Sequence, residues 1–256
     1  MERRLELDGP SNFRDLGGVP VAGGGSIRTG LVFRADRLGT LTDADLRRLE
    51  AANIRHVFDL RSEAEAAEFP DRLPAGASYV RMPMTSDETF RARTIFERIA
   101  EREIKSYGEA EMVAGYVRIL ENFGPAFVRI ARQVGVGDPV VIHCTAGKDR
   151  TGVASMMLLD LAGVAAEHVA ADYALSSQRR PSLQRDHTEA RSLQPMLEDL
   201  GLDPAGFAPL WEARPAVILA TLQELHDQWG GAAGYLSAAG MDDAEIDTVR
   251  AQLRAA

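Results

Sequence analysis

The chain has a single cysteine in 256 residues. One cysteine excludes any intrachain disulfide and any cysteine-rich zinc site. Long apolar runs are also missing: no stretch approaches the roughly 20 residues that a membrane-spanning helix requires. The first residues, Met1 to Asp8, include Arg3 and Arg4 but no apolar segment after them, so no secretory signal is read there. The expected location is the cytoplasm, with export by a non-classical route as the alternative. Positive charge is scarce, 29 Lys+Arg against 38 Asp+Glu, for a net charge of −9. That balance argues against broad nucleic-acid binding, which needs a basic face. It argues more weakly against docking on anionic membranes. What is present is ordinary for a globular protein: 45% hydrophobic and 26% charged residues. The length suits one α/β domain spanning residues 1–256.

Punctuation in the sequence outlines that domain. Glycines and prolines at Asp15–Pro20 and Gly23–Ser26 read as turns, and Leu31–Ala35 as a strand. Thr42, with Asp43 and Asp45, starts a helix that Asn53 stops. Ile54–Leu60 is a strand, and Ser62 to Glu65 has the spacing of a capping box. Tyr79–Met82 reads as a further strand. Residues 90–123 read as helical, with Met112, Tyr116, Ile119 and Phe123 on one face. Gly124-Pro125 breaks that helix, and another runs through Phe127 and Ile130. Val140–Ile142 is a short apolar run, the pattern of a strand buried on both faces. Thr151–Leu161 is almost wholly apolar and reads as a buried helix, and the C-terminal part as further helices. The expected class is α/β, a central mostly parallel sheet flanked by helices. A polar stretch about 176–212 is a candidate helical lid.

The chemistry concentrates between the apolar strand and the buried helix, in His143-Cys-Thr-Ala-Gly-Lys-Asp-Arg-Thr-Gly152. Cys144 and Arg150 are spaced so that the loop between them can wrap one tetrahedral oxyanion. Its backbone N–H groups converge on the anion, and the following helix aims its positive end at the same point. Such a field favours a thiolate at a cysteine held in it. Thr145, Ala146, Gly147, Lys148, Asp149, Arg150 and Thr151 are the expected phosphate-binding positions. Arg150 grips oxygens with a planar fork and Lys148 adds a point charge. Cys144 attacks phosphorus, and water then hydrolyses the phosphocysteine. Neither a metal nor a cofactor is called for.

This segment resembles the signature loop of the protein tyrosine phosphatase superfamily. Its Ala-Gly-Lys-Asp-Arg form is similar to a bacterial branch active on phosphotyrosine, on phosphoserine/threonine and on phosphoinositides. Asn12–Gly18, Phe33–Asp36, Asp59–Ser62 and Gly234–Gly240 match the same branch, in order along the chain. The resemblance implies a cysteine-phosphatase-like fold and a tyrosine-phosphatase type of phosphoric monoester hydrolase. It implies a phosphotyrosine protein or peptide as substrate, with phosphoserine/threonine tolerated. A phosphoinositide phosphatase is the alternative, and a non-catalytic phosphate-binding module is a weaker one.

The leaving oxygen needs a proton from a general acid. Most of the superfamily supplies an Asp a few tens of residues before the nucleophile, but here no Asp lies between Asp87 and Asp138. Asp59, at a strand end and in the Asp-Leu-Arg-Ser match, is the first candidate, and Asp149 the second. Thr151 could position the hydrolytic water, and Arg61 could touch substrate. Arg14 and Asp15 are expected to play a structural role, pairing with each other or tying down the N-terminal turns. Competing motifs fail. Gly147-Lys148 lacks the following Ser/Thr of a nucleotide loop, no G-x-S-x-G elbow exists, and a sulfurtransferase loop would be shorter and lack Lys-Asp-Arg-Thr-Gly.

Overall fold

The computed structural model describes residues 5–85, 95–179 and 195–255. Its centre is a five-stranded sheet formed by β1 (Arg14–Asp15), β3 (Val32–Ala35), β4 (His56–Asp59), β5 (Ser78–Arg81) and β6 (Val140–His143). The order is β1-β3-β6-β4-β5. β6 pairs in parallel with both β3 and β4, β4 pairs in parallel with β5, and only β1 runs antiparallel at its edge. Every residue of β6 is buried, as expected for an apolar strand with neighbours on both sides. Two further short strands, β2 (Ser26–Ile27) and β7 (Arg254–Ala255), pair with each other and tie the C-terminus to the N-terminal turns.

Period-2 alternation divides the core. Phe33, Ala35, Val57 and Val141 pack on one face with Leu49 of helix α1 (Asp43–Ala51). Val32, Phe58, Val140 and Ile142 pack on the other face in the larger cluster. That face is covered by the helices α4 (Glu109–Asn122), α5 (Gly124–Val136), α6 (Arg150–Leu161), α7 (Ala166–Arg179), α8 (Pro215–Trp229), α9 (Ala232–Ala238) and α10 (Asp243–Leu253). Two shorter helices, α2 (Glu63–Glu68) and α3 (Ile95–Ala100), complete the named set. No helix among the described residues is long and apolar enough to cross a membrane.

The helix expected over 90–123 is interrupted, and its first residues lie outside the described part. α3 ends at Ala100 and α4 starts only at Glu109. Arg102 takes a left-handed φ of 61°, and the Tyr107 N–H donates to Gly206 O instead of closing a helical turn. Gly108 then caps α4, with Glu111 accepting from its N–H. Tertiary pairing overrides helical periodicity there. The candidate lid is also partly outside: residues 180–194 are not described. The described remainder is the end of α7, a helical run over 195–199 and a 3₁₀ helix at Pro204–Leu210.

The parallel strands end at one edge. Ala35, Asp59 and His143 are aligned across β3, β4 and β6. The residues that follow them, Asp36, Leu60 and Cys144, open the loops where ligands of parallel sheets bind.

Candidate active site

Cys144 directly follows β6 and is 1% exposed. The chain then turns through Thr145–Asp149 and enters α6 at Arg150. The loop's carbonyls are held from outside. Thr145 O accepts from the Arg37 N–H at 3.2 Å, and Ala146 O from Asn12 Nδ2 at 3.0 Å. Gly147 O accepts from Asn12 Nδ2 at 3.1 Å and from an Arg34 guanidinium nitrogen at 2.7 Å. A trans peptide sets each N–H opposite the preceding C=O. Outward carbonyls at 145, 146 and 147 therefore turn the N–H groups of Ala146, Gly147 and Lys148 inward, toward one centre.

Gly147 is required by this geometry. Its φ is +67°, and a Cβ there would lie 2.5 Å from Ala35 O. Gly147→Ala is expected to destabilise the fold by about 1–3 kcal/mol, read as a lower urea midpoint, and to weaken inorganic phosphate as a competitive inhibitor. A midpoint equal to wild type would show that the loop relaxes freely.

The residues gripping the loop are themselves locked. Arg34 pairs with Asp172 on α7 at 2.7 Å, and Arg14 pairs with the same carboxylate at 3.2 Å. Arg14 also donates to Asp172 O, to Ser176 Oγ and to Asn12. Arg14, Arg34 and Asp172 are at most 1% exposed, so this is a buried charge set with multiple hydrogen bonds, not a surface ion pair. Asp15 accepts the N–H groups of Gly17 and Gly30 and so ties down the N-terminal turns, one of the two structural roles expected for this pair.

Arg150 is held by a partner that sequence reading treated only as a helix cap. Its two terminal nitrogens donate to the two oxygens of Glu65 at 2.7 Å each. The Glu65 Oε2 also accepts the Ser62 N–H, closing the capping box of α2, and Thr145 Oγ1 donates to Oε1 at 2.5 Å. Burial pushes the Glu65 carboxyl up, but the hydrogen bonds and charge of Arg150 outweigh it and hold the pKa at about 2. Burial opposes the Arg150 charge, yet Glu65 and the neighbouring Cys144 sulfur raise its pKa. The fork is thus permanently charged and oriented beside the cysteine.

Lys148 and Asp149 diverge. Lys148 is 1% exposed, with Nζ donating to Pro209 O at 2.7 Å and Leu210 O at 2.9 Å. Its ammonium is committed to the 3₁₀ helix and stands 3.2 Å from Asp149 Oδ1. The point charge expected at the phosphate is therefore spent on fixing the loop to its neighbour. Asp149, with its side chain 34% exposed, accepts from Tyr116 Oη at 2.5 Å, and Tyr116 is hydrogen-bonded in turn to Tyr173 at 2.7 Å. Burial, and then the Asp149 charge, keep both tyrosines protonated by raising their pKa values. Thr151 is fully buried, and its Oγ1 has no hydrogen-bond partner among the described residues.

Asp59 lies behind the loop. It is 0% exposed, and Arg61 grips both its oxygens at 2.9 and 2.8 Å. Tyr79 Oη donates to Oδ2 at 2.6 Å. Burial pushes its carboxyl up, but Arg61, His143 and Tyr79 together lower the pKa. Arg61 is equally buried and also pairs with Asp71, so its expected contact with substrate is corrected. His143 stands 3.3 Å from Asp71, and burial lowers its pKa despite the two carboxylates. Ligand atoms of Asp59, Asp71 and His143 lie within 4.8 Å of one another, and the Arg61 guanidinium already pairs with both carboxylates.

A loop at the parallel edge of an α/β sheet, with inward amides, a buried cysteine and a carboxylate-oriented arginine, has the geometry to receive a tetrahedral oxyanion. The sequence profile of the tyrosine phosphatase family matches residues 5–255, and the chain belongs to that family. It is a phosphatase, a hydrolase of phosphoric monoesters. It is 31% identical over 98% of its length, and 86% of the relative's, to a Cupriavidus necator protein named provisionally as a tyrosine-protein phosphatase. It is 31% identical to a tyrosine-protein phosphatase of Nostoc commune, over 86% of this chain and 73% of that one. It is 28% identical to the triple specificity protein phosphatase PtpB of Mycobacterium tuberculosis, over 97% of this chain and 98% of that one.

Proposed function

We propose that the protein hydrolyses phosphotyrosine in proteins or peptides, and phosphoserine/threonine to a lesser degree, through a phosphocysteine on Cys144. The observation that carries this reading is the set of inward N–H groups at 146, 147 and 148 beside the Arg150 fork. They match the three equatorial oxygens of a phosphoryl group in flight. The Cys144 sulfur forms a bond to phosphorus as the bond from phosphorus to the tyrosine oxygen breaks. Arg150 and the amides hold the oxygens throughout. The leaving oxygen takes a proton from Asp149. Water then attacks phosphorus, giving its proton back to Asp149, and the bond to sulfur breaks to release phosphate. Asn12, Arg34 and Lys148 position the loop. A nucleophile that must stay an unbridged thiol fits the reducing cytoplasm.

Two contrasts support Asp149 over Asp59 as the acid. Asp149 is partly open to solvent at the loop's end and is steadied by Tyr116. Asp59 is fully buried, its oxygens are taken by Arg61 and Tyr79, and its proton is held less tightly than an ordinary carboxyl's. We infer that Asp59 supports the loop from behind. Asp149→Asn is expected to slow phenyl phosphate hydrolysis by about 10²–10³-fold and to spare dinitrophenyl phosphate, whose leaving group needs no proton. Asp59→Asn should lower the thermal midpoint and slow both substrates alike. Leaving-group dependence appearing in Asp59→Asn alone would reverse the assignment.

A further inference from the structure

A cavity of about 340 Å³ opens between α3, the segment that follows it and α4. It is lined by Arg98 of α3, by the connecting segment Glu103–Tyr107, and by Glu111, Ala114 and Arg118 of α4. The three α4 residues share one helical face, at intervals of three and four. Three cations border it, and they are unequally engaged. Arg98 is 3.4 Å from Glu103. Among the described residues Lys105 and Arg118 form no ion pair, and both are exposed. Of the two acids, Glu103 faces Arg98, and Glu111 spends Oε2 on the Gly108 N–H. With three cations against two carboxylates the lining carries one net positive charge, in a protein whose net charge is −9.

Three links tie this cavity to the catalytic loop. The Tyr107 phenol, raised in pKa first by burial, also feels the Asp149 charge. Tyr116, whose hydroxyl holds Asp149, follows Gly115 on α4, and a Cβ on Gly115 would lie 3.6 Å from Tyr107 Oη and 3.8 Å from an Arg118 nitrogen. The 3₁₀ helix at Pro204–Leu210 receives the Tyr107 N–H at Gly206 O and the Lys148 ammonium at Pro209 O and Leu210 O. Cavity and loop are thus linked through α4, which carries Tyr116, and through the 3₁₀ helix, which accepts from both Tyr107 and Lys148.

From this geometry we infer a second anion subsite, in which Lys105 and Arg118 take a further phosphate monoester on the same peptide that presents phosphotyrosine to Cys144. The inference rests on the proposed function and adds its substrate class: doubly phosphorylated peptides. Arg118 offers a flat fork and Lys105 a mobile charge, both suited to a phosphate. The subsite is wet, so each contact is worth less than a buried one. A phosphate three residues from the phosphotyrosine lies roughly 10 Å along an extended peptide, and that spacing is the one tested.

The test measures binding to Cys144→Ser by calorimetry, so that turnover does not interfere. Its probes are a phosphotyrosyl peptide, the same peptide with a phosphothreonine three residues away, and inositol bisphosphate. The second phosphate is expected to tighten binding about ten-fold, and Lys105→Ala/Arg118→Ala to erase the gain. Lysine labelling gives an independent readout. The chain has two lysines, and Lys148 is buried, so an amine reagent marks Lys105. The doubly phosphorylated peptide should slow that labelling more than the single one. A gain that survives the double variant, or equal labelling with both peptides, overturns the subsite. A dependence on Lys105 and Arg118 seen with inositol bisphosphate and not with the peptide overturns the peptide assignment. Absence of phosphotyrosine hydrolysis by the wild type would strike the proposed function, while the binding arms still decide the subsite.

Discussion

Replacing Cys144 by serine is expected to reduce kcat on phosphotyrosyl peptide and on aryl phosphate by at least about 10⁴-fold, the scale of removing an enzyme's nucleophile. The reason is electronic. A serine hydroxyl occupies the same space but is a far weaker acid and a poorer nucleophile than a thiol. Because the amides at 146, 147 and 148 and the Arg150–Glu65 pair are untouched, phosphate binding should survive. The two effects separate cleanly: turnover lost, competitive binding of inorganic phosphate kept, and thermal midpoint close to wild type because the substitution is nearly isosteric. Acid-quenched wild type should carry a phosphate adduct on the Cys144 peptide, and Cys144→Ser should not. Residual kcat within ten-fold of wild type would remove the covalent mechanism.

Arg150→Lys should cost nearly as much, about 10³-fold in kcat/KM, although the charge is kept. The fork is what matters. Arg150 makes two parallel bonds to Glu65 at 2.7 Å, so its plane is set before substrate arrives. A lysine offers one point of attachment and cannot bridge Glu65 and a phosphoryl group together. It also leaves Glu65 under-compensated next to an arriving dianion. The loss should appear mostly in kcat, because the clamp tightens on the transition state. Glu65→Gln tests the same pair from the other side. It frees Arg150 to wander and should lower kcat less than Arg150→Lys does, since the guanidinium remains. An Arg150→Lys enzyme with unchanged kcat would mean that charge alone suffices.

The glutamate was visible in the sequence but only in half its role. Ser62-x-x-Glu65 is legible as a capping box because capping is local, within one turn of helix. Its grip on Arg150, 85 residues away in sequence, depends on β4 and β6 lying side by side. Asp59 shows the same limit from the opposite direction. Its place at a strand end was legible, but the side that its carboxylate faces was not. Register aligns Asp59 with His143, and alternation turns both away from the Cys144 side of the sheet, into a cluster with Arg61 and Asp71. Lys148 was legible as a cation in the loop. That its ammonium turns to Pro209 and Leu210 follows from a 3₁₀ helix 60 residues downstream, which no local pattern announces.

The sequence by itself determined the single cysteine, the loop from Cys144 to Arg150 and the kind of chemistry they perform. Those features are contiguous: a strand, a short turn and a helix start suffice to converge amides on one centre. Tertiary structure alone decided which carboxylate steadies Arg150, which one stands partly open at the end of the loop and which cation is withdrawn to hold the loop. Those outcomes depend on strand order and long-range packing, where a charge's neighbours, and not its place in the chain, set its ionisation and its use.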